Sequence, residues 1–197
     1  MQKFHCINIK CHDIKAIESC LNAIQPPNIT DISGLPSIIM QMLNKVTAYI
    51  VEYKNCDYSL LLLTDTYMSA ELSQKLSANT QSTAIYTLFT EYDNAVYIFD
   101  NGKRVFEFEQ HGFEPPIFYC DDTYKQSETQ KSFLEKLTHA DIDTDLIIEL
   151  EAAFDCTFTT NYDQINDTQI RCDIINPSDS VYFYEKGKGT VKITPPY

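Results

Sequence analysis

The sequence predicts an α+β protein, a mainly antiparallel sheet with helices packed on one side. Three observations lead there. Asp100-Asn101-Gly102 stands between two β-rich runs, and Asn-Gly is a strong hairpin signal because both residues tolerate φ > 0. KRVFEFEQ alternates with period two, placing Phe106 and Phe108 on one face and Val105, Glu107 and Glu109 on the other, so one face packs and the other is wet. Segments with helical spacing are grouped between hairpins and do not alternate strictly with strands, which favours segregated α and β over a doubly wound sheet.

The elements follow in order. Lys3 to Lys10 reads as a strand, and DIKAIESCLNAI as a helix with Asp13 at its entry, because Ile14, Ile17, Leu21 and Ile24 recur at helical spacing with Cys20 on the same face. Gln25-Pro26-Pro27 stops it. PSIIMQMLNK starts another short helix with Pro36 in the first turn, where the missing N–H costs nothing. VTAYIVEY and YSLLLLTD form a hairpin through Lys54-Asn55-Cys56-Asp57. SAELSQKLSA is a helix with Ser69 as N-cap and Leu72 and Leu76 four apart.

TAIYTLFTE, AVYIF and KRVFEFEQ then make an antiparallel meander over about residues 83 to 110, turned at Tyr92-Asp93-Asn94 and at Asp100-Asn101-Gly102. Gln110 to Ser127 reads as a loop stiffened by Pro115-Pro116. SETQKSFLEKL offers a capping box, Ser127 with Gln130, ahead of Phe133, Leu134 and Leu137, and LIIELEAAF continues as helix. IRCDII, SVYFYEK and GTVKITP close the chain as short strands, the last two turned by Lys186-Gly187-Lys188-Gly189. The length, 197 residues, suits one domain over 1–197 that buries roughly 70% of its unfolded surface, with a C-terminal α+β subdomain able to begin at about residue 127.

Composition narrows the function. A hydrophobic fraction of 44% and a charged fraction of 22% describe a chain that folds. No run in MQKFHCINIKCHDIK is long enough for a secretory signal, and LLLL at 60–63 is far short of a membrane span, so the expectation is a cytoplasmic protein. The seven cysteines are odd in number and contain no CxxC, which points to reduced, mostly buried thiols.

The formal charge is −13, and most of it lies in the second half. Residues 1–106 hold 10 acids and 8 bases, residues 107–185 hold 18 acids and 4 bases, and residues 186–197 carry three lysines and no acid. A field of that sign repels nucleic acid and anionic lipid, whose ligands need clustered Lys and Arg, and favours a basic protein partner. Acidity that serves only solubility is the plainer account of the same numbers.

Motifs that would carry chemistry fail on inspection. In DIDTDLIIELEA, Asp141, Asp143 and Asp145 take the first, third and fifth places of a calcium loop, but Leu146 stands where glycine turns the chain and Ala152 where a bidentate Glu belongs. An acidic helix amino terminus explains it better. His5, Cys6, Cys11 and His12 are metal-ligand types, yet His5 and Cys6 are neighbours on a strand and point to opposite faces. Glu107 and Glu109 could serve as an acid and base pair, but an exposed strand face accounts for them. The five glycines build no phosphate loop, no GxSxG occurs, and TPPY lacks the spacer of a PPxY ligand. No metal and no cofactor is expected.

What remains is the stretch from Glu107 to Asp122. It brings Phe113, Phe118 and Tyr119, with Ile117 and Tyr124 nearby, beside Glu107, Glu109, Glu114, Asp121 and Asp122. Aromatics supply buried anchors at interfaces and charges discriminate among partners, so these residues are the expected partner-binding set. Aromatics that cover the sheet edge are the alternative.

The segment ELSQKLSANTQSTAIYTLFTEYDNAVYIFDNGKRVFEFE, residues 71–109, sets a short Leu-spaced helix before three strands, the second ending in the Asp-Asn-Gly turn and the third aromatic. In that order it resembles small bacterial immunity proteins, the partners of secreted toxins, over about a fifth of the chain. The resemblance implies a small cytosolic protein, often acidic where the cognate toxin is a basic nuclease. It carries over no functional residue. The expectation is therefore a non-enzymatic binding protein that occludes the basic effector domain of a toxin. The other classes left open are a small enzyme using scattered carboxylates or a thiol, and a mimic of nucleic-acid phosphates that blocks a DNA-binding protein.

Overall fold

The computed structural model describes residues 3–25, 45–64, 67–124, 127–137 and 142–193. The helix expected in PSIIMQMLNK lies outside them apart from Lys45, as do His139, Asp141 and TPPY. The strands are β1 (Phe4–Ile9), β2 (Thr47–Glu52), β3 (Ser59–Leu63), β4 (Thr83–Phe89), β5 (Asp93–Asp100), β6 (Lys103–His111), β7 (Ile117–Cys120), β8 (Ser180–Glu185) and β9 (Gly189–Ile193). The helices are α1 (Ile14–Asn22), α2 (Ala70–Thr80), α3 (Glu128–Leu137), α4 (Thr144–Phe154), α5 (Tyr162–Asn166) and α6 (Thr168–Ile174).

The strands form one sheet in the order β7-β6-β5-β4-β1-β3-β2-β8-β9, antiparallel at every junction. The α+β class and the antiparallel sheet are as the sequence predicts. The placement of helices is not, because they cover both faces. Ile17 and Leu21 of α1 and Leu72 and Leu76 of α2 pack on Ile7, Ile9, Ile50 and Leu61. Phe133, Leu134 and Leu137 of α3 and Ile147, Leu150 and Phe154 of α4 pack on Cys6, Val51, Leu60, Leu62, Phe106 and Phe108 on the opposite face. The physical reason is visible in FHCINI and SLLLL, buried at every position, since a strand covered on both faces has no reason to alternate.

Local signals place the helices. Asp13 accepts hydrogen bonds from the Lys15 and Ala16 amides and opens α1, Ser69 accepts from Leu72 N to open α2, and Asp143 accepts from Leu146 N to open α4. The Ser127–Gln130 capping box closes in both directions at 3.1 Å. IRCDII is a correction. It belongs to helix α6, because Asp167 caps the Gln169 and Ile170 amides at 2.8 and 3.0 Å and so starts a helix where the β-branched residues suggested a strand. Beyond α4 the Glu151 carboxylate receives the Phe158 and Thr159 amides at 2.6 and 2.7 Å and pins the returning chain beneath the core residue Phe158.

Two features shape the β5–β7 flank. Asn101 and Gly102 both take positive φ, +50° and +80°, as the hairpin turn requires, and a Cβ on Gly102 would come within 2.7 Å of Ala78 Cβ on α2. The register slips after Ile98, where Ile98 faces Phe106 but Phe99 faces Arg104, leaving Val105 as the extra residue of a bulge. Val105 is thereby buried with Phe106 and Phe108, contrary to the alternation expected of it.

Candidate edge interface

Residues 117–120, expected within a loop, form the edge strand β7. Glu107 pairs with Tyr119 and Phe108 with Phe118, which fixes the face each side chain takes. Phe118 lies edge-on to Phe106 at 5.3 Å, on the side of α3 and α4. Tyr119 lies on the opposite face, at the end of a row that crosses the whole sheet: Tyr119, Glu107, Tyr97, Tyr86, Ile7, Leu61, Ile50, Tyr182, Lys192. The row is apolar in the middle and polar at both ends. Near Tyr97 it borders a groove of about 520 Å³ between α2 and the sheet, lined by Ala70, Glu71, Gln74, Tyr97, Phe99 and Arg104.

The aromatics expected to meet a partner are exposed. Phe113 is fully so, on the β-turn closed by the Glu114 amide to His111 O at 3.0 Å, and Ile117, Phe118 and Tyr119 are 55%, 45% and 41% exposed. Tyr92, on the neighbouring β4–β5 turn, joins them, because its carbonyl accepts the Gly112 amide at 2.5 Å and holds the two turns together. Ile117 and Tyr119 stand on one face of the edge strand and Phe118 on the other, so exposed apolar side chains flank this edge of the sheet on both faces.

The five expected acids divide into two groups. Glu107 and Glu109 were expected to face solvent, and they do so only in part, with side chains 13% and 24% exposed. Arg104 Nη1 holds Glu107 at 2.8 Å while its guanidinium sits 5.7 Å from the Tyr119 ring centre. Tyr97 donates its hydroxyl proton to Glu109, which also lies 3.9 Å from His111 Nε2. Asp121 is held by Lys103 at 2.5 Å and by the amide and hydroxyl of Thr123, contacts that keep its carboxyl well below the usual carboxylate range. The side chains of Glu114 and Asp122 make no hydrogen bond or ion pair among the described residues, and both residues are exposed.

His111 stands beside them. Its Nδ1 is 3.0 Å from Asp93 Oδ1, and that bond, with Glu109 and Glu114 close by, holds the imidazole above its ordinary value against desolvation. Sequence reasoning missed Tyr92, His111 and the ties of Lys103 and Arg104, which depend on the bulge register.

The main chain offers less at this edge than the side chains do. Asp121 N donates to Val105 O at 2.9 Å, so in antiparallel register residues 117, 119 and 121 turn their polar groups to β6 and Phe118 turns its N–H and C=O outward. Two residues earlier Pro116 has no donor, which stops the row. Recognition by side chains suits this edge better than strand addition.

Other chemistry is poorly supplied. Burial pushes the Cys6 thiol up to about 12 and holds Cys156 well above its usual value, so both stay protonated and are weak nucleophiles. His5 and Cys6 do point apart, His5 Nε2 to Tyr86 Oη at 3.1 Å and Cys6 Sγ to Thr87 Oγ1 at 3.2 Å. Among the described residues no group of three His, Cys, Asp or Glu side chains is placed to hold a metal ion. Nor, among them, is any helix long and apolar enough to cross a membrane. Comparison of the chain with family models, curated proteins and solved structures finds no match.

Proposed function

We propose that this is a non-enzymatic binding protein whose β6–β7 corner takes a basic partner protein, and that the partner is the effector domain of a secreted bacterial toxin, neutralised in the cytoplasm. The observation that carries the binding reading is the exposed set Phe113, Ile117, Phe118 and Tyr119, flanked by the carboxylates of Glu114 and Asp122, which make no hydrogen bond or ion pair among the described residues. Aromatic anchors with a charged rim are what a specific interface needs, and a rim of one sign chooses a partner of the other. The toxin half of the reading is supported by the resemblance of residues 71–109 to immunity proteins and by the acidity of residues 107–185. No nucleic acid or anionic membrane is proposed to bind directly, because the bases near the corner, Lys103 and Arg104, are already paired with Asp121 and Glu107.

The test is capture from the native host with the wild-type protein and with Glu114→Lys/Asp122→Lys as baits, followed by mass spectrometry. A basic effector domain held by the wild type and lost by the double variant is the expected result. An enzyme of metabolism or a DNA-binding protein in its place would overturn the toxin assignment, and equal capture by both baits would overturn the site.

A further inference from the structure

Three groups meet at His111. Asp93 comes from β5 and touches Nδ1 at 3.0 Å, Glu109 lies on β6 two residues before and stands 3.9 Å from Nε2, and Glu114 lies on the turn that His111 opens. All three are acids. Among the described residues no Lys or Arg forms an ion pair with any of them, whereas Glu107 and Asp121 each have a base of their own. Among the described residues the imidazole is therefore the only side-chain cation within ion-pair distance of Asp93 or Glu109, and unlike Lys103 and Arg104 it gives up its charge near neutral pH. It is also half-exposed, so the proton exchanges freely with solvent.

We propose that His111 is a pH-dependent charge gate for the β6–β7 corner: as imidazolium it cancels part of the Asp93, Glu109 and Glu114 field, and on losing its proton it releases that field to a cationic partner. The inference rests on the corner being a binding site for basic ligands, the reading given above. Sign and size follow from the geometry. The upward hold on the imidazole by Asp93 places the change at or above ordinary histidine values, so the gate is closed toward acid pH and open toward alkaline pH. One unit charge a few ångströms from a ligand charge in water alters affinity about two- to fivefold. Salt weakens the effect over a distance of about 8 to 10 Å, so it is a low-salt observation.

A lysine decapeptide serves as the cationic probe, and two measurements separate the inference from the reading beneath it. The first follows the His111 ring by NMR across pH without any ligand, its signal assigned by loss in His111→Gln. Replacement of Asp93 by Asn should lower the midpoint, and a midpoint unmoved by Asp93→Asn would overturn the gate whatever the corner binds. The second measures binding of the decapeptide at about pH 5.5 and about pH 8.5 in low salt, a span that brackets histidine titration. Affinity should rise about two- to fivefold with pH in the wild type and stay level in His111→Gln. The same rise in both proteins would overturn the gate while leaving the corner as a binding site. Binding that leaves the Phe113 and Glu114 amide signals unmoved at either pH would instead overturn the site, and the gate with it.

Discussion

β3 and β7 are short runs of similar composition, SLLLL and IFYC, in the same sheet, yet every residue of β3 is buried and Ile117, Phe118 and Tyr119 of β7 are exposed. What separates them is rank in the strand order. β3 lies between β1 and β2 with α1 and α2 above and the α3–α4 layer below, whereas β7 has one neighbour and, toward α1 and α2, the paired charges of Arg104 and Glu107. An apolar run thus reports a need for cover and does not say what supplies it. In β3 the protein itself does so. At β7, on our reading, a partner does.

The contrast can be broken most strongly by truncation. Leu61→Ala empties a fully buried site at the centre of the sheet and should cost about 2–5 kcal/mol in denaturant unfolding, while Ile117→Ala should stay within about 0.5 kcal/mol. Similar losses from both would mean that the corner is part of the core. Gly102→Ala acts on the link between the two regions: it places a Cβ against Ala78 and forces an L side chain to φ +80°, so a loss of about 1–3 kcal/mol is expected. Tyr119→Ala should be milder in the free protein, about 0.5–1 kcal/mol from the lost Arg104 contact, and far more damaging to partner binding than to unfolding.

The smallest effect expected is at Asp121. Its carboxyl is held below the ordinary value in the folded protein, so the stabilisation is present above the unfolded value and fades as pH falls through the folded one. Asp121→Asn should therefore lower the melting temperature slightly at neutral pH, with the gap closing below about pH 4, and added salt should shrink it because the pair is at the surface. A gap that widens in acid would show that Asp121 acts by something other than its charge.

Much of the fold was legible because its signals are local. Asn101-Gly102 fixed a hairpin, Asp13, Ser69 and Ser127 announced helix starts, and period two marked β6. Helix placement is read from β6, which alternates, whereas the cover on both faces is carried by FHCINI and SLLLL, which are buried at every position and do not alternate. IRCDII went astray because a one-residue cap, Asp167, outweighed β propensity in a short segment. In the site, the aromatics and acids could be read off as a list, but their partition could not. Which carboxylates are neutralised depends on a bulge at Val105 and on β7 returning beside β6, both of them long-range consequences of packing.

On our reading, recognition belongs to this corner and not to net charge. That reading is tested by comparing Glu114→Lys/Asp122→Lys with Asp57→Lys/Asp173→Lys, which change the net charge equally at exposed positions elsewhere. Asp57 follows β2 and precedes β3, five strands from β7, or about 24 Å at ordinary strand spacing. The measurement is the association rate and affinity of the captured basic partner for each variant over a range of salt, with folding checked by circular dichroism. We predict that the corner pair slows association, flattens its salt dependence and weakens affinity at least tenfold, about 1.4 kcal/mol, while the distant pair changes affinity less than about threefold. Equal losses from the two pairs would contradict the account and assign recognition to the overall acidity of the protein.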